Sequence, residues 1–275
     1  MVWACALGMV CALASPASAG PWTKGQGEAY VKGSGLLFGS DTFVSSTGER
    51  VQGAEFVSRS AAVYAEVGVG GNVQLQIYLP YQFATNRFEA IETTYANVGL
   101  GDTIIGAQWT PVEIGLPWAL RLDAKVPLYD VAGIVGPEAA SFPAFGDGQL
   151  DATLWASLGG SFYPLPAYAL LEVGYRHRTE VFPGEGNGLE FGDGVTFFGQ
   201  VGYTLFERAL VGVNASGVLP LVEDEVTQGF VTVGPMVAVT LWQELRLEAT
   251  YDFMPWSVNN SPGNTASVGV SYTFR

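Results

Sequence analysis

Beyond Pro21 the chain falls into strand-length blocks in which every second residue is apolar. The last block is the plainest. Ala266, Val268, Val270, Tyr272 and Phe274 share one parity, and Ser267, Gly269, Ser271 and Thr273 the other. Leu245, Leu247, Ala249, Tyr251 and Phe253 likewise oppose Glu244, Arg246, Glu248, Thr250 and Asp252. Successive side chains of a strand point to opposite faces, so each block has one greasy and one polar face. The pattern predicts about twelve strands of about 11 to 14 residues. They run near 28–38, 56–68, 72–84, 97–109, 117–129, 148–160, 167–179, 194–206, 209–219, 230–241, 244–254 and 265–275. Strands in soluble sheets average about 5 or 6 residues, whereas a tilted bilayer crossing takes about 9 to 11.

The connections alternate in length. One set is tight, as at Phe206-Glu207-Arg208 and Trp242-Gln243. The other is long: 39–55, 86–96, 131–146, 181–192, 221–229 and 255–264. Short turns at one end and long loops at the other mark bacterial outer-membrane barrels. The expected fold is therefore all-β: a transmembrane, antiparallel, up-and-down β-barrel over residues 20–275, with short periplasmic turns and longer extracellular loops. A soluble β-sandwich is the alternative, and it would have to bury every greasy face against another. Aromatic residues near block ends, such as Trp109, Tyr203, Trp242 and Tyr251, fit belts at the lipid–water boundary. Pro235 lies inside the tenth block and cannot donate to a ladder, so a bulge is expected there.

Residues 1–19 read as a secretory signal peptide. Val2 to Ala14 is an apolar run, followed by Ser15-Pro16-Ala17-Ser18-Ala19 and cleavage after Ala19, although no Lys or Arg precedes the run. Cys5 and Cys11 both fall inside it. The mature chain then has no thiol and no disulfide.

Composition narrows the function classes. Twelve Lys+Arg stand against 26 Asp+Glu, a formal net charge of -14, so nothing offsets phosphate repulsion and no nucleic acid is expected as partner. Hydrophobic residues at 48% exclude global disorder. With one His and no mature Cys, neither a metal cluster nor another cofactor is expected.

Parity assigns the charges in the blocks to the interior, since a charge facing lipid at mid-depth costs about 2 to 4 kcal/mol. The lumen-lining candidates are Arg121, Asp123, Lys125, Asp151, Glu172, Arg176, Arg178, Glu244, Arg246 and Glu248. Arg121, Asp123 and Lys125 on one strand, and Arg176 and Arg178 with Glu172 on another, are the expected constriction. Phe198, Phe206, Leu170 and Met236 also point inward by parity. Such a lumen either lines a solute path or holds a closed core by ion pairing. About eight strands give a filled barrel and about sixteen an open one, and twelve lies between. His177, the only His, turns outward, with no hydroxyl evident for it to activate.

Several stretches resemble a known family. They are Gly25-Gln26-Gly27-Glu28-Ala29-Tyr30, the run from Ser58 to Gly68, Leu79-Pro80-Tyr81, and Val98-Gly99-Leu100-Gly101-Asp102-Thr103. Together they are similar to the family called MetA-pathway of phenol degradation, strongest over the first 125 residues. The resemblance implies an outer-membrane barrel that admits small, often aromatic compounds, and it assigns no site residues. The expected function is an outer-membrane channel for small solutes, including hydrophobic or aromatic compounds. The alternatives are a non-conducting structural barrel and a barrel enzyme of the phospholipase type. The expected partners are outer-membrane lipid and lipopolysaccharide, with loop acids such as Glu223, Asp224 and Glu225 biasing the mouth, and the barrel-assembly machinery. The machinery would engage the last strand, Tyr272-Thr273-Phe274-Arg275, which ends like the terminal strand of outer-membrane proteins.

Overall fold

The computed structural model describes residues 20–111, 115–129, 141–181 and 191–275. The expected signal peptide and parts of the third and fourth long loops lie outside these residues. Among the described residues thirteen strands form one antiparallel sheet. They are β1 (Ala29–Val44), β2 (Arg50–Gly70), β3 (Val73–Phe88), β4 (Thr93–Leu100), β5 (Asp102–Trp109), β6 (Trp118–Pro127), β7 (Gln149–Ser161), β8 (Ala167–Val181), β9 (Gly194–Leu205), β10 (Ala209–Pro220), β11 (Gly229–Trp242), β12 (Leu245–Val258) and β13 (Asn264–Phe274). Each pairs with its neighbour in sequence, save that β3 pairs with both β4 and β5, and the β1–β13 ladder closes the ring.

The crossings number twelve, because β4 and β5 are two halves of one. β3 pairs with β4 from Tyr81↔Leu100 to Phe88↔Thr93 and with β5 from Val73↔Trp109 to Tyr78↔Ile104. The break has a local cause. Pro80 has no N–H for the ladder, and Gly101 bends in beside it, donating its own N–H to the Pro80 carbonyl at 3.0 Å. A Cβ on Gly101 would lie 2.2 Å from the Gln82 side-chain nitrogen, so any larger residue here would have to push that side chain aside. Pro235 also perturbs its surroundings. The β11–β12 register shifts between Val231 and Val233, and Gly234 and Pro235 have no partner in β12.

The strands run further outward than the alternation suggested. β1 and β2 continue to Val44 and from Arg50, β4 starts at Thr93 and β12 reaches Val258, so three expected long loops shrink to 45–49, 89–92 and 259–263. Polar residues on a two-sided hairpin outside the bilayer do not interrupt pairing. They only end the greasy stripe that the sequence pattern detects.

The outer surface carries the apolar parity. Leu75, Ile77, Leu122, Leu154, Leu171, Val201, Val268 and Val270 are exposed on it. Water would penalise such a surface, and hydrocarbon does not. Exposed rings edge the band: Trp109, Tyr203, Trp242 and Phe274 at the turn end, and Tyr81, Phe83, Tyr175, Phe253 and Trp256 toward the loop end. Phe206 differs from expectation. It lies in the three-residue β9–β10 turn with φ 51° and is 91% exposed, and the turn holds left-handed backbone at both Phe206 and Glu207.

Candidate functional site

The inward parity makes the lumen, and most of its side chains are polar. Its charges fall into layers. In the central layer the Arg121 Nε donates to Asp123 Oδ2 at 3.0 Å and Nη1 to Glu172 Oε1 at 3.0 Å. Ser157 Oγ donates to the same Glu172 oxygen at 2.6 Å, and Gln76 Nε2 to Asp123 Oδ1 at 3.1 Å. The guanidinium lies 4.8 Å from the centre of the Trp155 ring. Gly106 makes room: a Cβ there would sit 2.1 Å from Asp123 Oδ1.

The outer layer joins β5, β6, β7 and β8. Lys125 Nζ meets Asp151 Oδ2 at 3.0 Å and Asp102 Oδ2 at 3.4 Å, and it also contacts Asp147. Arg178 pairs with Asp147 and reaches Asp151 Oδ1 at 3.5 Å. Asp147 belongs to the segment after β6, so an outer loop folds back onto the lumen wall. Three side-chain amides hold that segment by its carbonyls: Asn86 to Ser141 at 3.0 Å, Asn97 to Pro143 at 3.1 Å and Gln82 to Phe145 at 3.2 Å. Gly146 packs against the Tyr129 hydroxyl and Asp102, where a Cβ would clash.

The inner layer holds Lys32 Nζ on Glu248 Oε2 at 2.6 Å, with Ser271 Oγ donating to Glu248 Oε1 at 2.9 Å. Below it residues 20–24 enter the barrel. Gln108 Nε2 donates to the Gly20 carbonyl at 2.8 Å, Thr110 Oγ1 to the Pro21 carbonyl at 2.7 Å, and the Lys24 N–H to Gln74 Oε1 at 3.0 Å. Lys24 Nζ stands 3.4 Å from Glu66. The ring of Trp22 lies against Gly159 on the far wall, so residues 20–24 cross the periplasmic mouth.

The expected lumen residues thus divide. Arg121, Asp123 and Glu172 meet, as do Lys125, Asp151 and Arg178, while Glu248 takes Lys32. Arg176 and Arg246 have no ion pair among the described residues. Glu244 sits in the β11–β12 turn and pairs with Arg275 at 2.9 Å, both partly in solvent, so it belongs to the periplasmic rim. Parity misassigned Glu244 because it is the last residue of the turn and β12 starts only at Leu245. Sequence reasoning did not anticipate Asp147 or Lys24. Both lie in connections, where alternation gives no side. Apolar residues line the lumen in two places: Leu170, Phe198, Val218, Phe230 and Met236 on β8 to β11, and Leu36, Phe38, Phe56 and Ala84 on β1 to β3, are all buried.

His177 faces outward and its Nδ1 is 3.1 Å from Asp193 Oδ1. Burial alone would raise the Asp193 carboxyl. The Tyr175 hydroxyl, the Arg178 N–H and His177 together hold it below the usual carboxylate range. No Ser or Thr hydroxyl bonds to His177 among the described residues. In the β10–β11 loop, burial likewise opposes ionisation of Asp224, but the Thr227 hydroxyl and the N–H groups of Thr227 and Val226 lower it. No group of His, Asp or Glu among the described residues is placed to hold a metal.

No family model matches the chain, and no curated protein matches its sequence. The family suggested by residues 25–30, 58–68, 79–81 and 98–103 thus has no support from sequence comparison. Solved structures are similar in fold. The COG4313 outer membrane channel from Pseudomonas putida F1 aligns with a TM-score of 0.71 at 10% identity, over 94% of this chain and 99% of that one. The translocator domain of the autotransporter NalP from Neisseria meningitidis aligns with a TM-score of 0.55 at 11% identity, over 91% and 90%. Both likenesses are of fold, a closed antiparallel β-barrel.

Proposed function

We propose that the protein is an outer-membrane channel that passes small solutes through its lumen, including hydrophobic or aromatic compounds. The observation that carries the reading is an interior in which the ions are paired and apolar strips lie beside them. Fixed ions are paired along the wall from β5 to β8, a buried apolar strip of Leu170, Phe198, Val218, Phe230 and Met236 continues the wall along β8 to β11, and Phe38 and Phe56 add a second apolar patch on β1 and β2. Paired ions do not trap a solute, and the apolar strip offers contact to rings and short chains. The P. putida barrel of similar fold is described as a channel, and the resemblance to the phenol-pathway family points to the same solute class. On this reading the chain is exported with cleavage after Ala19, and β13 engages the assembly machinery.

Unit currents across a planar bilayer containing the refolded chain, transiently blocked by added phenol, are the expected result. Unit currents indifferent to phenol would remove the aromatic solute class. Electrical silence would favour the second reading, a structural barrel. That reading has its own support in a filled central layer, where Arg121 is only 5% exposed. A barrel enzyme is the least supported, since the His177–Asp193 pair lacks a hydroxyl nucleophile.

A further inference from the structure

Twelve basic residues serve this chain, and their placement is uneven. Lys24, Lys32, Arg121, Lys125, Arg176, Arg178 and Arg246 are on the lumen side, while Arg208 and Arg275 lie at the periplasmic end. The remaining three, Arg50, Arg59 and Arg87, all sit on the β2–β3 hairpin toward its extracellular end, and all are exposed. None of their side chains has a hydrogen bond or ion pair among the described residues.

Arg59 is the unusual one. Its ladder partners are Leu37 on β1 and Phe83 on β3, and Phe83 pairs onward with Val98. Those three are exposed apolar residues of the lipid-facing parity, and Tyr81 is exposed one step below. A guanidinium has therefore been placed among them, at the upper edge of the greasy band formed by Ala61, Val63, Val67 and Val69. Lipid contact disfavours a bare charge and rewards one that snorkels to an anionic headgroup. Arg87 has the same outward parity four residues further out, about 13 Å along the strand at ~3.3 Å per residue. It stands opposite Glu55 in the ladder, yet no ion pair joins them. The strip from Arg59 to Arg87 thus spans the depth of a headgroup layer, and guanidinium forks match phosphate oxygens.

We propose that Arg59 and Arg87 on the outer face of β2–β3 bind the phosphate groups of an outer-leaflet glycolipid. The occupant is a membrane lipid, because Arg59 is ringed by side chains that only hydrocarbon would cover. The site rests on the outer-membrane placement of the barrel and is independent of what the lumen conducts.

The test uses the full chain, expressed into outer membranes and extracted in a non-ionic detergent, with retained lipid counted by native mass spectrometry. The wild type is expected to keep phosphorylated glycolipid, and R59Q/R87Q to keep at least tenfold less. R59K/R87K, which preserves charge, and R246Q, which changes a lumen arginine, should both retain it. Heat-modifiable gel migration identifies the folded variants to be compared. Added inorganic phosphate should not displace the lipid. Displacement by phosphate alone, equal retention by wild type and R59Q/R87Q, or absence of the lipid from the wild type would each overturn the proposal. Planar-bilayer currents of R59Q/R87Q should match the wild type, so failure here leaves the channel reading standing.

Discussion

Replacing Arg121 by Met would leave Asp123 and Glu172 facing each other with no cation between them. In the folded barrel the guanidinium donates to both at 3.0 Å and its side chain is 6% exposed. Ser157 and Gln76 would still donate to the two carboxylates, which softens the loss but supplies no charge. Removing one partner of a buried pair costs about 3 to 5 kcal/mol, against about 0 to 1 kcal/mol for a solvated one. The wall here has the first character, so a loss of about 3 kcal/mol or more is expected. Urea titration of the barrel refolded into lipid vesicles, followed by tryptophan emission, measures it. Neutralising both acids as well, in R121M/D123N/E172Q, should recover most of the loss, because the repulsion disappears with the charges. A loss under about 1 kcal/mol would mean that the central layer is bathed in water. The burial argument would then be refuted, along with the support it lends to a filled, structural barrel.

Other consequences are open to the same kind of measurement. Gly106→Ala places a Cβ 2.1 Å from Asp123 Oδ1 and 2.9 Å from Gln76 Cγ, so it should destabilise by about 1 to 3 kcal/mol as overpacking does, and the effect should shrink when Asp123 is also changed to Ala. Phe206 and Glu207 both hold positive φ, at 51° and 60°, so Glu207→Gly should raise the urea midpoint by relieving about 1 kcal/mol of left-handed strain. Asp193 and Asp224 are held below their unfolded carboxylate values. Their contribution to loop order is therefore present above about pH 4 and lost as pH falls below it. Proteolysis of the outer loops should accelerate in that range for the wild type and show less pH dependence in D193N/D224N.

Much of the barrel was legible because lipid enforces alternation more strictly than water does. Leu245 to Phe253 and Ala266 to Phe274 read correctly residue by residue. What alternation missed has two physical causes. Where the hairpins leave the bilayer, as from Ser40 to Phe56, pairing continues without an apolar stripe to reveal it. In connections, parity has no meaning, so Glu244, Asp147 and the segment from Gly20 to Lys24 could not be placed. Those connections also complete the lumen: Asp147 supplies a carboxylate to Lys125 and Arg178, and Lys24 supplies a cation to Glu66. The ions on strands were visible in advance as a set. Which of them pair depended on register across strands, and that is fixed by tertiary structure alone.

The central claim is that one parity of each crossing faces hydrocarbon and the other an enclosed polar space. The chain from Gly20 has no cysteine, so single cysteines can be placed along β13 one at a time and fluorophore-labelled in vesicles. Lipid-borne nitroxide should quench labels at 266, 268, 270 and 272 strongly and those at 267, 269 and 271 weakly. Equal quenching along β13, or quenching only by an aqueous agent at every position, would contradict the barrel and everything built on it.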